Sequence, residues 1–163
     1  MTRYAKTFIV RWADCDANGH MRNTAYSEYA TEVRIAYLSE RGFTWEKFVA
    51  SRFGPVLLHE YVDYMREVRM GGTVEVDFAV VGLSPDGARF KFEHDVWLPS
   101  KKKAARIVIA GGWMDLEQRK LRLPPEELVQ VLRDGPRGEP FEEMKPMRHR
   151  EGSPGSPGSP NPE

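Results

Sequence analysis

Asp14, Asp16, Asn18, His20 and Asn23 crowd into one short stretch, Val10-Arg11-Trp12-Ala13-Asp14-Cys15-Asp16-Ala17-Asn18-Gly19-His20-Met21-Arg22-Asn23-Thr24-Ala25-Tyr26. A carboxylate supplies a base or a nucleophile, an imidazole or amide orients water or substrate, and backbone N–H groups stabilise an oxyanion. Together these are the requirements of acyl transfer. The same residue types also have a plainer use, because Asp and Asn ahead of a helix commonly bond backbone N–H groups as caps. Asp14 is read in that way, as the residue that holds the loop, and Cys15 as a small buried filler. Asp14, Asp16 and His20 match no recognisable metal template, so no metal is expected.

Two elements must position this stretch. Lys6 to Trp12 alternates Phe8, Val10 and Trp12 with Thr7, Ile9 and Arg11, which predicts a strand that opens at about Arg3. From Ala25 the residues Tyr26, Tyr29, Ala30, Val33, Ala36 and Tyr37 recur at helical spacing. The spacing predicts a helix from about Thr24 to Arg41, stopped by Gly42. Asn23 and Thr24 are good N-cap types, so the first free N–H groups of the helix should point back toward Asp16, Asn18 and His20. The positive pole there favours developing negative charge.

The run Asp14-Cys15-Asp16-Ala17-Asn18-Gly19-His20-Met21-Arg22-Asn23, followed by an aromatic-rich helix with Glu32-Val33-Arg34, resembles the signature of the hotdog-fold acyl-CoA thioesterases, the 4-hydroxybenzoyl-CoA thioesterase-like group. It also resembles the plant acyl-ACP thioesterases. The likeness extends from about Thr2 to Leu132 in the order of elements, and it is specific in this motif. It implies an α+β hotdog fold, a curved antiparallel sheet wrapped around a long central helix, and an enzyme that hydrolyses an acyl thioester to free acid and CoA. Asp16 aligns with the carboxylate that serves as nucleophile or general base, and Asn18 and His20 with the pair that accompanies an Asp in the plant enzymes. Asn23 and Tyr26 would then meet the substrate. CoA carries phosphates, so Lys101, Lys102, Lys103 and Arg106 become candidates for the channel mouth, although a lysine-rich turn also serves as a solvated hairpin end. No cofactor is implied beyond the CoA of the substrate. Subunits of the group pair edge to edge, so a homodimer or homotetramer is expected.

Two other readings stay open. Asp16-x-Asn18-x-His20 partly resembles the Asp-x-Asn-Pro-x-His motif of hotdog hydratases and dehydratases, but it lacks the proline and is one residue shorter. A non-catalytic acyl-CoA-binding hotdog domain is the other, and no DNA-binding module accompanies the motif to favour it. The chain also departs from the group at Gly71-Gly72-Thr73, where relatives often carry an Asp.

The rest of the chain supports one domain. Its 163 residues carry 24 basic and 24 acidic side chains, a balance that leaves no electrostatic footprint for nucleic acid. A lone cysteine excludes an internal disulfide and fits a reducing compartment. No apolar run approaches the roughly 20 residues of a membrane span, and a cytoplasmic location is expected. After Pro55 the period changes to two. Strands are predicted at Val56 to Arg69, Thr73 to Ser84, Ala88 to Leu98 and Ala104 to Leu116, with turns at Pro85-Asp86-Gly87 and Ser100 to Lys103. In the third of these, Phe90, Phe92, His94, Val96 and Leu98 should face inward and Arg89, Lys91, Glu93 and Asp95 outward. Gly111-Gly112 marks a bulge or a close backbone approach. Pro124-Pro125-Glu126-Glu127 opens a short helix through Leu132. The domain is expected to span 1–133, and 134–163, rich in Pro, Gly, Ser and charge, to form a mobile tail.

Overall fold

The computed structural model describes residues 3–147. The predicted period-two segments form one antiparallel sheet, from β1 (Tyr4–Ile9), β2 (Phe53–Tyr64), β3 (Thr73–Leu83), β4 (Arg89–Trp97) and β5 (Lys103–Asp115), in the order β1-β3-β4-β5-β2. A short β6 (Lys120–Leu121) pairs with β5, and β7 (Arg137–Glu143) runs parallel to β3. The long helix α1 (Asn23–Ser39) lies against the inner face, followed by α2 (Trp45–Ala50), while α3 (Glu126–Arg133) comes after the main strands.

Aromatic contacts show how the sheet curls around α1. Tyr29 stacks on Phe8 of β1 with ring centres 4.6 Å apart, Tyr37 meets Phe78 of β3 at 4.5 Å, and Tyr26 meets Tyr64 of β2 edge-on at 5.3 Å. One helix thus touches both ends of the sheet, the α+β hotdog arrangement. Tyr26, Tyr29, Ala30, Val33 and Tyr37 are buried as their spacing predicts. Gly42 adopts φ +84°, the left-handed conformation expected of the residue that ends the helix. At Gly111 a Cβ would run into the carbonyl oxygen of Val56, and the β2–β5 register shifts beside it, between Leu57 and His59. The close approach read from Gly111-Gly112 is therefore real.

Four expectations need correction. β1 ends at Ile9, and Trp12 opens a 3₁₀ turn (Trp12–Asp14) with 81% of its surface exposed, because the chain must bend there to present the loop. β2 ends at Tyr64 instead of Arg69, because the following residues turn away to bond the loop: Met21 N–H donates to Val68 O (2.7 Å), and His20 bridges Arg69. Glu93 and Asp95 do face outward on β4, yet both are buried. Arg3 spans Asp77 (3.0 Å), Glu93 (2.6 Å) and Asp95 (3.1 Å), and Lys103 and Arg106 reach Asp95 at 2.8 and 3.0 Å. Finally, the body does not stop at residue 133. β7 extends β3 beyond the reach of β1, and Met147 N–H donates to Asp86 at 2.9 Å. The remainder of the expected tail, 148–163, lies outside the described residues.

Candidate active site

Asp14 anchors the loop between β1 and α1. Its carboxylate is buried and accepts from the Arg11 guanidinium (2.9 and 3.0 Å), the Arg11 amide (3.0 Å) and the Tyr29 hydroxyl (2.7 Å). The Arg11 guanidinium, helped by Tyr29, holds Asp14 well below the usual carboxylate range, while burial and the Asp14 charge push Tyr29 up to about 12. A charged, fully bonded carboxylate of this kind is structural, as expected. Cys15 is half-buried and its Sγ donates to Arg11 O at 3.3 Å.

Asp16 stands two residues on, at the surface. Its Oδ1 accepts the amides of Asn18 (2.8 Å) and His20 (3.2 Å), closing a tight turn in which Asp16 N–H also donates to His20 O (2.8 Å). Among the described residues Oδ2 has no partner, so one oxygen is fixed by the turn and the other is open. His20 is half-buried and its Nε2 lies 3.2 Å from Glu67 Oε2, which orients the ring. Asn18 is exposed and joins the site through its backbone amide.

α1 starts one residue earlier than expected. Its N-cap is Arg22, whose side chain makes no capping bond, so neither Asn23 nor Thr24 caps the helix. Ala25 N–H turns back to Arg22 O (3.0 Å), which leaves the amides of Asn23 and Thr24 as the first open donors of the helix. An uncapped positive pole thus adjoins the turn that carries Asp16 and His20.

Two cavities flank this turn. One, of about 450 Å³, is lined by Trp12, Cys15, Asp16, Gly19 and Met70. The other, of about 350 Å³, has His20, Asn23, Tyr26, Tyr64, Arg66 and Glu67 among its lining residues. The structure therefore brings His20, Asn23 and Tyr26 into one cavity and sets Asp16 on its neighbour. Burial raises the Tyr26 phenol, and the acidic groups of Tyr64, Asp16 and Glu67 act in the same direction. Tyr64, the last residue of β2, and Glu67, in the segment after it, were missed from sequence because they are remote from the motif in the chain.

The basic candidates are divided. Lys103 is committed to Asp95 and lies over the Trp97 ring at 5.0 Å, and Arg106 is committed to Asp95 and Glu93. Both side chains are thus engaged by carboxylates of the sheet. Lys101 (3.9 Å from Glu75) and Lys102 remain exposed on the hairpin, at the sheet end where β1 leads into the loop. Among the described residues no group of His, Cys, Asp and Glu is arranged to hold a metal.

Comparison with known proteins decides the family. Residues 10–132 match the model of the Thioesterase-like superfamily, from the end of β1 through α3. The chain belongs to this superfamily. It is a thioester hydrolase. A betainyl-CoA thioesterase of Pseudomonas aeruginosa is 28% identical over 145 residues, 87% of this chain and 77% of the relative. In fold, the chain is similar to a 1,4-dihydroxy-2-naphthoyl-CoA thioesterase from Synechocystis (TM-score 0.74, 18% identity, 82% of this chain and 97% of that one). A Staphylococcus aureus protein solved in complex with CoA is similar too (TM-score 0.74, 16% identity, 83% and 87%). No helix among the described residues is long and apolar enough to cross a membrane.

Proposed function

We propose that this superfamily member hydrolyses its acyl-CoA at the β1–α1 turn, with Asp16 as the base or nucleophile. The observation that carries the reading is the uncapped start of α1, which follows that turn: open amides at Asn23 and Thr24 suit an oxyanion, and the Asp16 carboxylate, on the neighbouring cavity, keeps one oxygen unengaged. Asp16 attacks the thioester carbonyl or removes a proton from water, His20, oriented by Glu67, positions water or substrate, and Asn18 shapes the turn. Lys101 and Lys102 are the basic residues left to meet the CoA phosphates. The products are a free acid and CoA, and the reaction needs no cofactor beyond the CoA of its substrate.

The working unit of this proposal is a homodimer or homotetramer. Among the described residues β2 ends the sheet with no strand on its outer side, and Leu57, Leu58, Tyr61 and Tyr64 are exposed along it. An edge so apolar invites pairing with a second copy. A reducing, cytoplasmic setting suits a chain with one cysteine.

Asp16→Asn tests the reading, since the amide keeps the shape of the side chain and can still accept the turn's N–H groups. The variant should fold normally while kcat for thiol release falls by about 10² to 10⁴. Parental turnover would remove Asp16 from the chemistry. A single turnover in ¹⁸O-water identifies a nucleophile whose anhydride water opens at the Asp16 carbonyl: the label then stays on Asp16 and the acid leaves unlabelled, whereas a base delivers the label to the acid.

A further inference from the structure

We propose that Arg66 binds the pantetheine arm of the substrate, its guanidinium donating to an amide carbonyl of the arm as the arm leaves the cavity that holds Asn23 and His20. This inference rests on the thioesterase reading above and assigns the stretch of substrate between the reacting carbonyl and the phosphates.

Arg66 carries no mark in the sequence, and its position is set by the fold. It lies just past β2, where the amides of Met65 and Arg66 both donate to Ala104 O, at 2.8 and 2.9 Å. Its Nη1 donates to Lys103 O at 2.6 Å. Backbone and side chain thus grip consecutive residues at the start of β5, which holds the exposed guanidinium against the cavity lined by His20, Asn23, Tyr26 and Tyr64. Glu67, the acid of that cavity, is shared between His20 Nε2 (3.2 Å) and Arg69 (3.3 Å). Among the described residues no carboxylate pairs with Arg66, and Nε and Nη2 make no hydrogen bond. Those N–H groups are donors in want of acceptors.

The chemistry of an acyl-CoA says which acceptors they meet. Between its thioester and its phosphates runs an uncharged arm whose polar groups are amides, and a carbonyl that accepts from a guanidinium makes a strong bond. Arg66 shares a cavity of about 350 Å³ with Asn23, the residue that offers the first open amide of α1. It is therefore too near the reacting carbonyl to meet a phosphate of the same molecule, which an extended arm carries well beyond. It also lies on the way out. Lys103, whose carbonyl it holds, follows Lys102 and Lys101, both exposed on the β4–β5 turn that Leu98 N–H closes on Lys102 O at 2.9 Å. A substrate anchored at Asn23 with its phosphates on those lysines passes Arg66 with its arm.

The test uses one plain alkyl acid, which offers Arg66 no acceptor beyond the thioester, presented as its CoA ester and as its pantetheine ester, which lacks every phosphate. Arg66→Ala should raise KM about tenfold for both esters, the loss expected when a hydrogen bond from a charged donor goes. Its kcat should stay within about twofold of the parent, because the lost contact is the same in ground and transition state. If Arg66→Ala does not fold, Arg66→Gln, whose amide can still donate to Lys103 O, makes the same comparison. A rise confined to the CoA ester would place Arg66 on a phosphate, and a fall in kcat at unchanged KM would place it at the reacting carbonyl. Either result overturns the inference and leaves the thioesterase reading standing, as would unchanged kinetics or a parent that neither cleaves the pantetheine ester nor is inhibited by it. Failure of the parent to cleave any acyl-CoA above the Asp16→Asn background overturns the reading and the inference with it.

Discussion

At the scale of single residues, the loop separates two carboxylates by their surroundings. Asp14 is buried, charged and fully bonded, whereas Asp16 is exposed with one oxygen open, so only the second has capacity left for chemistry. This division was legible in the sequence, because the motif and the coming helix mark both residues as loop acids. Glu67 and Tyr64 were not legible, since their roles depend on a strand end that meets the loop only in three dimensions. His94 is a further buried group with a measurable signature. Its Nδ1 lies 2.8 Å from Asp77 O, a pure acceptor, so Nδ1 carries the hydrogen and Nε2 is an acceptor with no partner among the described residues. Burial, with the Arg34 charge from α1 and Arg3 adding to it, lowers His94 from 6.5 to about 3, despite the opposing Asp77 carbonyl and Asp95. The unfolded chain therefore takes up this proton first as pH falls. The stability associated with neutral His94 is fully present above about pH 6.5 and lost progressively toward pH 3, with a slope of about 1.4 kcal/mol per pH unit inside that window. Asp14, held low, adds its loss only below about pH 4. Denaturant unfolding at pH 7, 6 and 5 should show the slope, and His94→Gln should flatten it. An unchanged slope in that variant would assign the proton elsewhere.

At the scale of elements, β7 alters the expected boundary. Its sequence, Arg137-Gly138-Glu139-Pro140-Phe141-Glu142-Glu143, has no alternating apolar pattern, and its burial is confined to Gly138 and part of Phe141. It is ordered by what β3 leaves unpaired: β1 covers Thr73 to Phe78, and β7 pairs from Val80 to Leu83. Gly138 belongs there because a Cβ would lie 2.6 Å from Val81 Cγ1. Such order is invisible to periodicity, which is why the strands β2 to β5 and α1 could be read from sequence and this one could not. Truncation after Gly135 should therefore lower the melting temperature by several degrees, since it reopens a strand edge and removes the Lys91–Glu142 pair. Truncation after Met147 should leave it near the parental value. Equal melting of all three proteins would show that β7 adds no stability.

At the scale of the whole molecule, one subunit leaves its candidate site open on the side of β2. Tyr64 and Met65 line the cavity that holds His20 and Asn23, and both lie at or just beyond the end of β2, the edge that carries no further strand among the described residues. A second copy paired along β2 would wall that cavity and cover Leu57, Leu58 and Tyr61, removing apolar surface that a lone subunit exposes to water. Assembly and catalysis are then one property. Light scattering should give at least twice the subunit mass of 18.7 kDa. Lysines at Leu58 and Tyr61, which lie on the edge but outside the cavity, should block pairing by charge, as lysine does on natural edge strands. The double variant should sediment as a monomer, keep its far-ultraviolet circular dichroism, and lose at least tenfold in kcat/KM, because its cavity faces solvent. An assembled parent whose double variant becomes a fully active monomer would confine the site to one subunit, and a parent that is itself an active monomer would remove the role of β2 in assembly altogether.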